Sequence, residues 1–350
     1  MYGRRPAVRR LLNTLFVMSE ESYLSLDGEN IVVQGAGEKI ARFPLHALEG
    51  IVYFGYKGAS PALMGACAKR KINLSFLTPR GKFLCRVSGE NQGNVLLRKK
   101  QYRSSEDIEE SVRLARSFLL GKLFNARWSL ERAARDYPLR IEAERVKHVS
   151  SQLADSISSI ERMSTLEELR GLEGDAATQY FSVLDELILQ NKDSFYYRGR
   201  SRRPPLDNLN AMLSFAYMLL ASDCAAALEA VGLDAYVGFF HRDRPGRASL
   251  ALDLMEELRP LFADRLVISS INNRVIRKEH FEQGENGAVW LNEDGRKTFL
   301  GAYQDRKKEV IQHPYLKEKT PWGLIPYIQA LLLSRYLRGD LDGYPPFLWK

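Results

Sequence analysis

Asp253, Glu256 and Glu257 stand at i, i+3 and i+4 in Ser249-Leu-Ala-Leu-Asp-Leu-Met-Glu-Glu-Leu258, and His241 lies just upstream in Gly238-Phe-Phe-His. On a helix these three acids share a face and repel one another unless a cation or basic partner sits among them. With the imidazole they make an N/O donor set for a divalent metal. The plain alternative is a capped surface helix with a solvated acidic face. A further carboxylate, Glu173, sits between Gly171 and Gly174 beside Ala176 and Ala177, where a backbone or ligand can approach closely.

Phosphate chemistry has its own candidates. Phe195-Tyr-Tyr-Arg-Gly-Arg-Ser-Arg-Arg-Pro-Pro205 carries Arg198, Arg200, Arg202 and Arg203 after two tyrosines. Guanidinium forks grip phosphates and tyrosines stack on bases, so the loop reads as a nucleic-acid clamp or, equally, as an exposed basic linker. Arg242, Arg244 and Arg247 flank His241, and Lys297 is a further phosphate candidate. Asn210 and Tyr217 are notable polar members of the apolar helix expected over 206–232, and one or both are candidates to face a site.

The elements that must position these residues divide the chain. Residues 1–95 read as a β-rich domain: Tyr23-Leu-Ser-Leu and Ile31-Val-Val-Gln flank an Asp-Gly turn, and Ser60-Pro61 opens a short helix. Residues 96–106 read as a linker. From 107 to 350 the apolar period lengthens to 3.6, with Ser104-x-x-Asp107 and Ser164-x-x-Glu167 as helix starts. The fold class expected is α+β, an N-terminal β-sheet domain followed by a larger α-helical catalytic domain.

Composition narrows the partners. Residues 1–103 hold 17 Lys and Arg against 7 Asp and Glu, whereas the rest holds 34 against 36. A basic first part joined to a near-neutral second part suits a polyanion. Cys67, Cys85 and Cys224 form no CxxC pair, which argues against a disulfide scaffold or a cysteine zinc site. No apolar run reads as membrane-spanning. The Arg-rich start, followed by Glu20 and Glu21 without a cleavage site, reads as a basic arm on a cytoplasmic protein. The phosphate-binding lysine loop, the GxSxG elbow and HExxH are all missing from the sequence.

Three stretches in order resemble the metal-dependent integrase of CRISPR spacer acquisition: Leu169-Arg-Gly-Leu-Glu-Gly-Asp-Ala-Ala, the arginine loop running into Pro204-Pro-Leu-Asp-Asn-Leu-Asn-Ala-Met-Leu-Ser, and Gly238-Phe-Phe-His through Asp-Leu-Met-Glu-Glu-Leu-Arg-Pro260. Leu11-Leu-Asn-Thr-Leu-Phe-Val and Phe43-Pro-Leu-His look most like subtype I-C. The resemblance covers essentially the whole chain. It implies a homodimer whose metal ligands carry over to Glu173, His241 and Glu256, with Asp253 matching a second acid of the pattern. It further implies Mg²⁺ or Mn²⁺ as cofactor and double-stranded DNA, both incoming fragment and CRISPR repeat, as substrate. Tyr217 becomes a helper for the nucleophile or leaving oxygen. The implied partners are a small ferredoxin-like adaptation protein bridging two dimers and, in this subtype, an iron–sulfur exonuclease. Two rivals are a structure-selective repair nuclease acting on branched DNA and a non-catalytic DNA-binding scaffold.

Overall fold

The computed structural model describes residues 14–17, 19–35, 38–48, 50–79, 83–89, 95–201 and 203–350. The basic arm Met1–Arg10, the tips of the turns expected at Gly35-Ala-Gly and Thr78-Pro-Arg-Gly, and Arg202 lie outside the described residues. The chain divides into two compact units, with the boundary at Asn91/Gln92; residues 307–311 and 320–324 cluster with the first.

The first unit is built from two small sheets. Strands β1 (Thr14–Val17), β5 (Gly50–Phe54) and β6 (Asn73–Leu77) run parallel, and β7 (Phe83–Arg86) joins β6 antiparallel. The hairpin read from the sequence is β2 (Tyr23–Asp27) paired with β3 (Asn30–Gly35), from Tyr23↔Gln34 to Asp27↔Asn30. Gly28 takes the left-handed φ of 58° that the tight turn requires. Strand β4 (Glu38–Pro44) completes that antiparallel sheet. Helix α1 (Pro61–Arg70) starts where expected, with the Ser60 side chain accepting from Leu63 N–H and Pro61 at the first position. Leu24, Ile31, Ile51, Tyr53, Leu63 and Leu74, all fully buried, form the core of this unit. At roughly 1.5–3 kcal/mol for each large apolar side chain, that burial holds the two sheets together.

In the second unit, residues expected as a linker are helical. Helix α2 (Val95–Glu106) is polar enough to read as a connector, but buried Gln101 joins it to the 234–237 loop. Its amide donates to the carbonyls of Asp234 and Val237 and accepts from Asp234 N–H. Asp107, rather than Ser104, caps α3 (Ile108–Asp136), accepting from the N–H groups of Glu109 and Glu110. This 29-residue helix packs against α4 (Ala143–Ser159), α5 (Leu166–Ser182) and α7 (Ser249–Glu256). The capping box that opens α5 is Thr165 with Glu168, one residue beyond the expected pair.

Helix α6 (Asn208–Ala230) is long and apolar enough to cross a membrane by composition, contrary to the sequence reading, and two thirds of its apolar window is buried inside the protein. After α7 the backbone widens into a π-helix over Arg259–Asp264. Pro260, with no N–H to donate, stands at its start. The unit continues with α8 (Arg265–Asn272), the antiparallel pair β8 (Phe281–Gln283) and β9 (Val289–Leu291), and α9 (Glu293–Lys308). Short β10 (Val310–Gln312) pairs with β11 (Lys319–Pro321) in the stretch that mostly clusters with the first unit, and α10 (Ile325–Arg338) is the last helix of the second.

Candidate metal centre

The acidic face of α7 is not solvated: Asp253, Glu256 and Glu257 are all buried, at 0, 3 and 0% exposure. Each carboxylate has a different environment. Asp253 Oδ2 accepts from the backbone N–H groups of Phe239 (2.7 Å) and Phe240 (3.0 Å). Its Oδ1 takes His241 N–H (2.8 Å) and His241 Nδ1 (2.7 Å). Both oxygens are thereby committed to folding the loop and orienting the ring. With Nδ1 held by a carboxylate, Nε2 is the nitrogen left to bind something else, the usual arrangement behind a metal-ligating histidine. Gly238 permits this packing, because a Cβ there would come within 2.8 Å of Ser249 Cβ and 2.9 Å of Asp253 Oδ2.

Nε2 lies 3.9 Å from Glu256 Oε1. Burial alone would raise the pKa of Glu256, but Arg259, Lys122 and His241 outweigh it and hold the carboxyl well below its usual range. Arg259 binds Oε1 at 2.7 Å. Oε2 faces Lys122 Nζ at 2.8 Å in an ion pair and finds no other partner among the described residues. The same ammonium donates to Glu173 Oε1. Glu173 projects from α5 half-exposed, and a Cβ on either neighbouring glycine, 171 or 174, would meet open space. Arg170 ties α5 to the histidine loop by donating twice to the Phe240 carbonyl.

Glu173 and Glu256 therefore meet at Lys122, which sequence reasoning missed, and His241 Nε2 lies beside Glu256. Among the described residues no group of three or more His, Cys, Asp or Glu is gathered to hold a metal; the ammonium stands between the two glutamates instead. The donors still suit a small divalent ion. They are hard oxygens and one imidazole nitrogen, with a buried carboxylate oxygen lacking a hydrogen bond. Glu173, Glu256 and His241 Nε2 are the atoms that would hold it.

The expected helper Tyr217 is placed otherwise. Its hydroxyl donates to Asp264 Oδ1, burial and that carboxylate push its pKa up, and its ring lies under Arg259, 4.2 Å from the guanidinium carbon. It anchors the arginine that binds Glu256. Arg200 is likewise a structural arginine, because it donates to Ser201 O, Asn210 Oδ1 and Ser214 Oγ, leaving Asn210 to pin the loop to α6. Arg242 pairs with Glu167 at 2.7 Å. Arg198 lies exposed over the Tyr196 ring, and Lys297 is exposed on α9 with no ion pair among the described residues.

Arg203, Arg244 and Arg247 behave differently. Burial, Arg244, Arg203 and Arg170 all depress the pKa of Arg247, against a smaller opposing effect of Asp253. These guanidinium groups crowd beside the histidine loop, and the side chains of Arg203, Arg244 and Arg247 form no salt bridge or hydrogen bond among the described residues. Like charges held together in this way leave a place for a polyanion. Replacing Arg203, Arg244 and Arg247 with alanine is expected to weaken DNA binding for every sequence. It should also lower the slope of log affinity against log salt by about one unit for each phosphate no longer neutralised. Titrations of a labelled duplex at several salt concentrations measure this, and an unchanged slope would show that the cluster faces no phosphate.

Comparison with known proteins gives a consistent result. Residues 15–305 match the family model described as CRISPR associated protein Cas1. The chain is 47% identical to CRISPR-associated endonuclease Cas1 1 of Chlorobaculum tepidum over 98% of its own length and all of that protein. It is 49% identical to CRISPR-associated endonuclease Cas1 2 of Rhodospirillum rubrum, with the same coverage. A Geobacter sulfurreducens CRISPR-associated exonuclease Cas4/endonuclease Cas1 fusion is 34% identical over 96% of this chain and 60% of that one. Among solved structures, a casposase bound to integration product shares the fold with TM-score 0.84, at 22% identity over 97% of this chain and 95% of that one. A Cas6-RT-Cas1–Cas2 complex shares it with TM-score 0.81, at 21% identity over 98% of this chain and 36% of that one.

Proposed function

Because the chain belongs to the CRISPR-associated Cas1 family, we infer that it is a divalent-metal-dependent DNA endonuclease and integrase of CRISPR adaptation. It inserts short foreign DNA into a CRISPR array by attack of a 3′-hydroxyl on a phosphodiester at the repeat. The observation that carries this reading is that Glu173 and Glu256 share Lys122, with His241 Nε2 3.9 Å from Glu256, near Arg203, Arg244 and Arg247, which form no salt bridge among the described residues.

Mg²⁺ or Mn²⁺, held by Glu173, Glu256 and His241 Nε2, would supply Lewis-acid polarisation of the scissile phosphate and stabilise charge on the departing oxygen. The residues do the rest. Asp253 fixes the imidazole by accepting hydrogen bonds from its Nδ1 side and from the N–H groups of the loop. Arg259, stacked on Tyr217 and bonded to Glu256, keeps that carboxylate ionised in a buried place. Arg203, Arg244 and Arg247 bind the backbone beside the reacting phosphate and orient it for in-line attack. Water in place of the hydroxyl gives cleavage.

The finer assignments follow the same reading. The chain acts as a homodimer paired through its β-rich unit, in the cytoplasm, on both prespacer and repeat DNA, and in a subtype I-C system. Its partner is the small ferredoxin-like adaptation protein, an assignment supported by the Cas1–Cas2 complex of the same fold. The Cas4/Cas1 fusion supports an iron–sulfur exonuclease as a second partner.

The test is joining. Purified protein with its small partner and Mg²⁺ should join a 3′-hydroxyl oligonucleotide to a plasmid carrying a repeat, giving a branched product at the repeat border. Cutting of branched DNA without joining would identify a repair nuclease instead.

A further inference from the structure

We propose that Lys122 is an exchangeable internal cation that binds the Glu173–Glu256 pair in the metal-free protein and must leave before a divalent ion can enter. This lysine would then set the affinity of the centre for metal. The inference rests on the reading of Glu173, His241 and Glu256 as metal ligands.

Two cations serve Glu256, and they are held very differently. Arg259 is fixed: its guanidinium is stacked 4.2 Å from the Tyr217 ring centroid and bonded to Oε1 at 2.7 Å, and Tyr217 is held in turn by Asp264. Among the described residues Lys122 bonds only the two carboxylates, donating to Glu173 and lying 2.8 Å from Glu256 Oε2. Its side chain, 11% exposed, reaches them from α3 on a flexible four-carbon stem. One carboxylate belongs to α5 and the other to the end of α7, and without a cation between them the two would repel. An ammonium supplies a single charge and three rotatable donors, sufficient to bridge them but not to gather the imidazole as well. His241 Nε2 accordingly stays 3.9 Å from Glu256. One position between the two carboxylates cannot hold both an ammonium and a metal ion, so entry of either requires departure of the other. After departure the flexible stem allows the ammonium to reach a nearby anion, and in the working complex that anion is a DNA phosphate.

Calorimetric Mn²⁺ titration of the metal-free full chain tests the exchange, using Lys122→Met to keep the stem and remove the charge. The variant is expected to bind Mn²⁺ about tenfold more tightly than the parent and to gain more thermal stability from saturating Mn²⁺. A folded variant with unchanged or weaker Mn²⁺ affinity would overturn the proposal. A second measurement needs no variant: acylation of Lys122 by an N-hydroxysuccinimide ester, read by peptide mass spectrometry, should increase when Mg²⁺ is added to the wild type. Reactivity that stays level or falls would also refute exchange. Glu173→Ala separates the two ideas. If it binds Mn²⁺ as the parent does, the ligand assignment fails; if it loses binding while Lys122→Met changes nothing, only the lysine's role fails.

Discussion

Alanine at Glu173, His241 or Glu256 is expected to reduce metal-dependent cleavage and strand transfer by about 10³-fold or more, since stabilising transition-state charge is worth several kcal/mol. The same three variants should lose the thermal stabilisation that Mn²⁺ confers on the parent, because a ligand stabilises only the state that binds it. Asp253→Asn should behave differently. Its carboxylate accepts three backbone N–H groups and His241 Nδ1 in a fully buried place. An amide turns one oxygen into a donor facing donors, at a cost of about 1–3 kcal/mol of stability. Metal affinity should then fall by roughly 10–100-fold, as it does for residues that orient a ligand, without being abolished. Melting curves with and without Mn²⁺, run beside the cleavage assay, separate the two classes. Asp253→Asn losing every response to Mn²⁺, while Glu256→Gln retains it, would exchange their assigned roles.

Glu256 and Asp253 show why the sequence could bring the site close but not complete it. Spacing placed both acids beside Glu257 on one face of a helix and allowed either a metal or water to satisfy them. What separates the three is their partners, most of which come from other parts of the chain: the 239–241 loop for Asp253, Lys122 besides the neighbouring Arg259 for Glu256, and Gln329, Tyr344 and Phe347 for Glu257. Periodicity carries no information about such pairings. Lys122 had one faint signal, the glycine before it in the middle of a strong helix. A Cβ on Gly121 would lie 2.7 Å from Glu257 Cγ, so the glycine marks where α3 passes α7.

The arginine loop shows a limit of composition. Composition picked out four arginines as phosphate-binding groups, but a loop that turns into a buried helix must also satisfy its own polar groups. Arg200 is used for that purpose. Local features were legible because their causes are local. The hairpin at Gly28 and the Ser60 cap each depend on residues a few positions apart. The polar segment 96–106 was misread because the group that makes it a packed helix, Gln101, finds its partners beyond position 230.

The segment after α10 supplies the other large expected effect. Phe347 is fully buried with its ring edge-on to His313, and its N–H donates to Glu257. Tyr344 donates to the other oxygen of Glu257, and Asn125 joins the Glu257 and Phe347 carbonyls at 2.7 and 2.6 Å. Burial pushes the Glu257 carboxyl up to about 8, so these donors compensate for a costly buried acid. Phe347→Ala should cost about 3–5 kcal/mol, which for a unit of this size lowers the melting temperature by on the order of 10 °C. The loss should extend beyond stability. The buried ring holds the 344–347 backbone in place, so its loss lets the 347 carbonyl move away from Asn125. Glu257 follows Glu256 directly, and a shift of its carbonyl, the other acceptor of Asn125, displaces the metal-binding carboxylate with it. Mn²⁺ affinity should therefore fall about tenfold, the scale seen when an outer partner of a ligand is removed. Leu153→Ala, a fully buried deletion in α4, provides the control: a comparable fall in melting temperature is expected with Mn²⁺ affinity unchanged. If Phe347→Ala also leaves Mn²⁺ affinity at the parent value, the segment stabilises the unit without positioning Glu256.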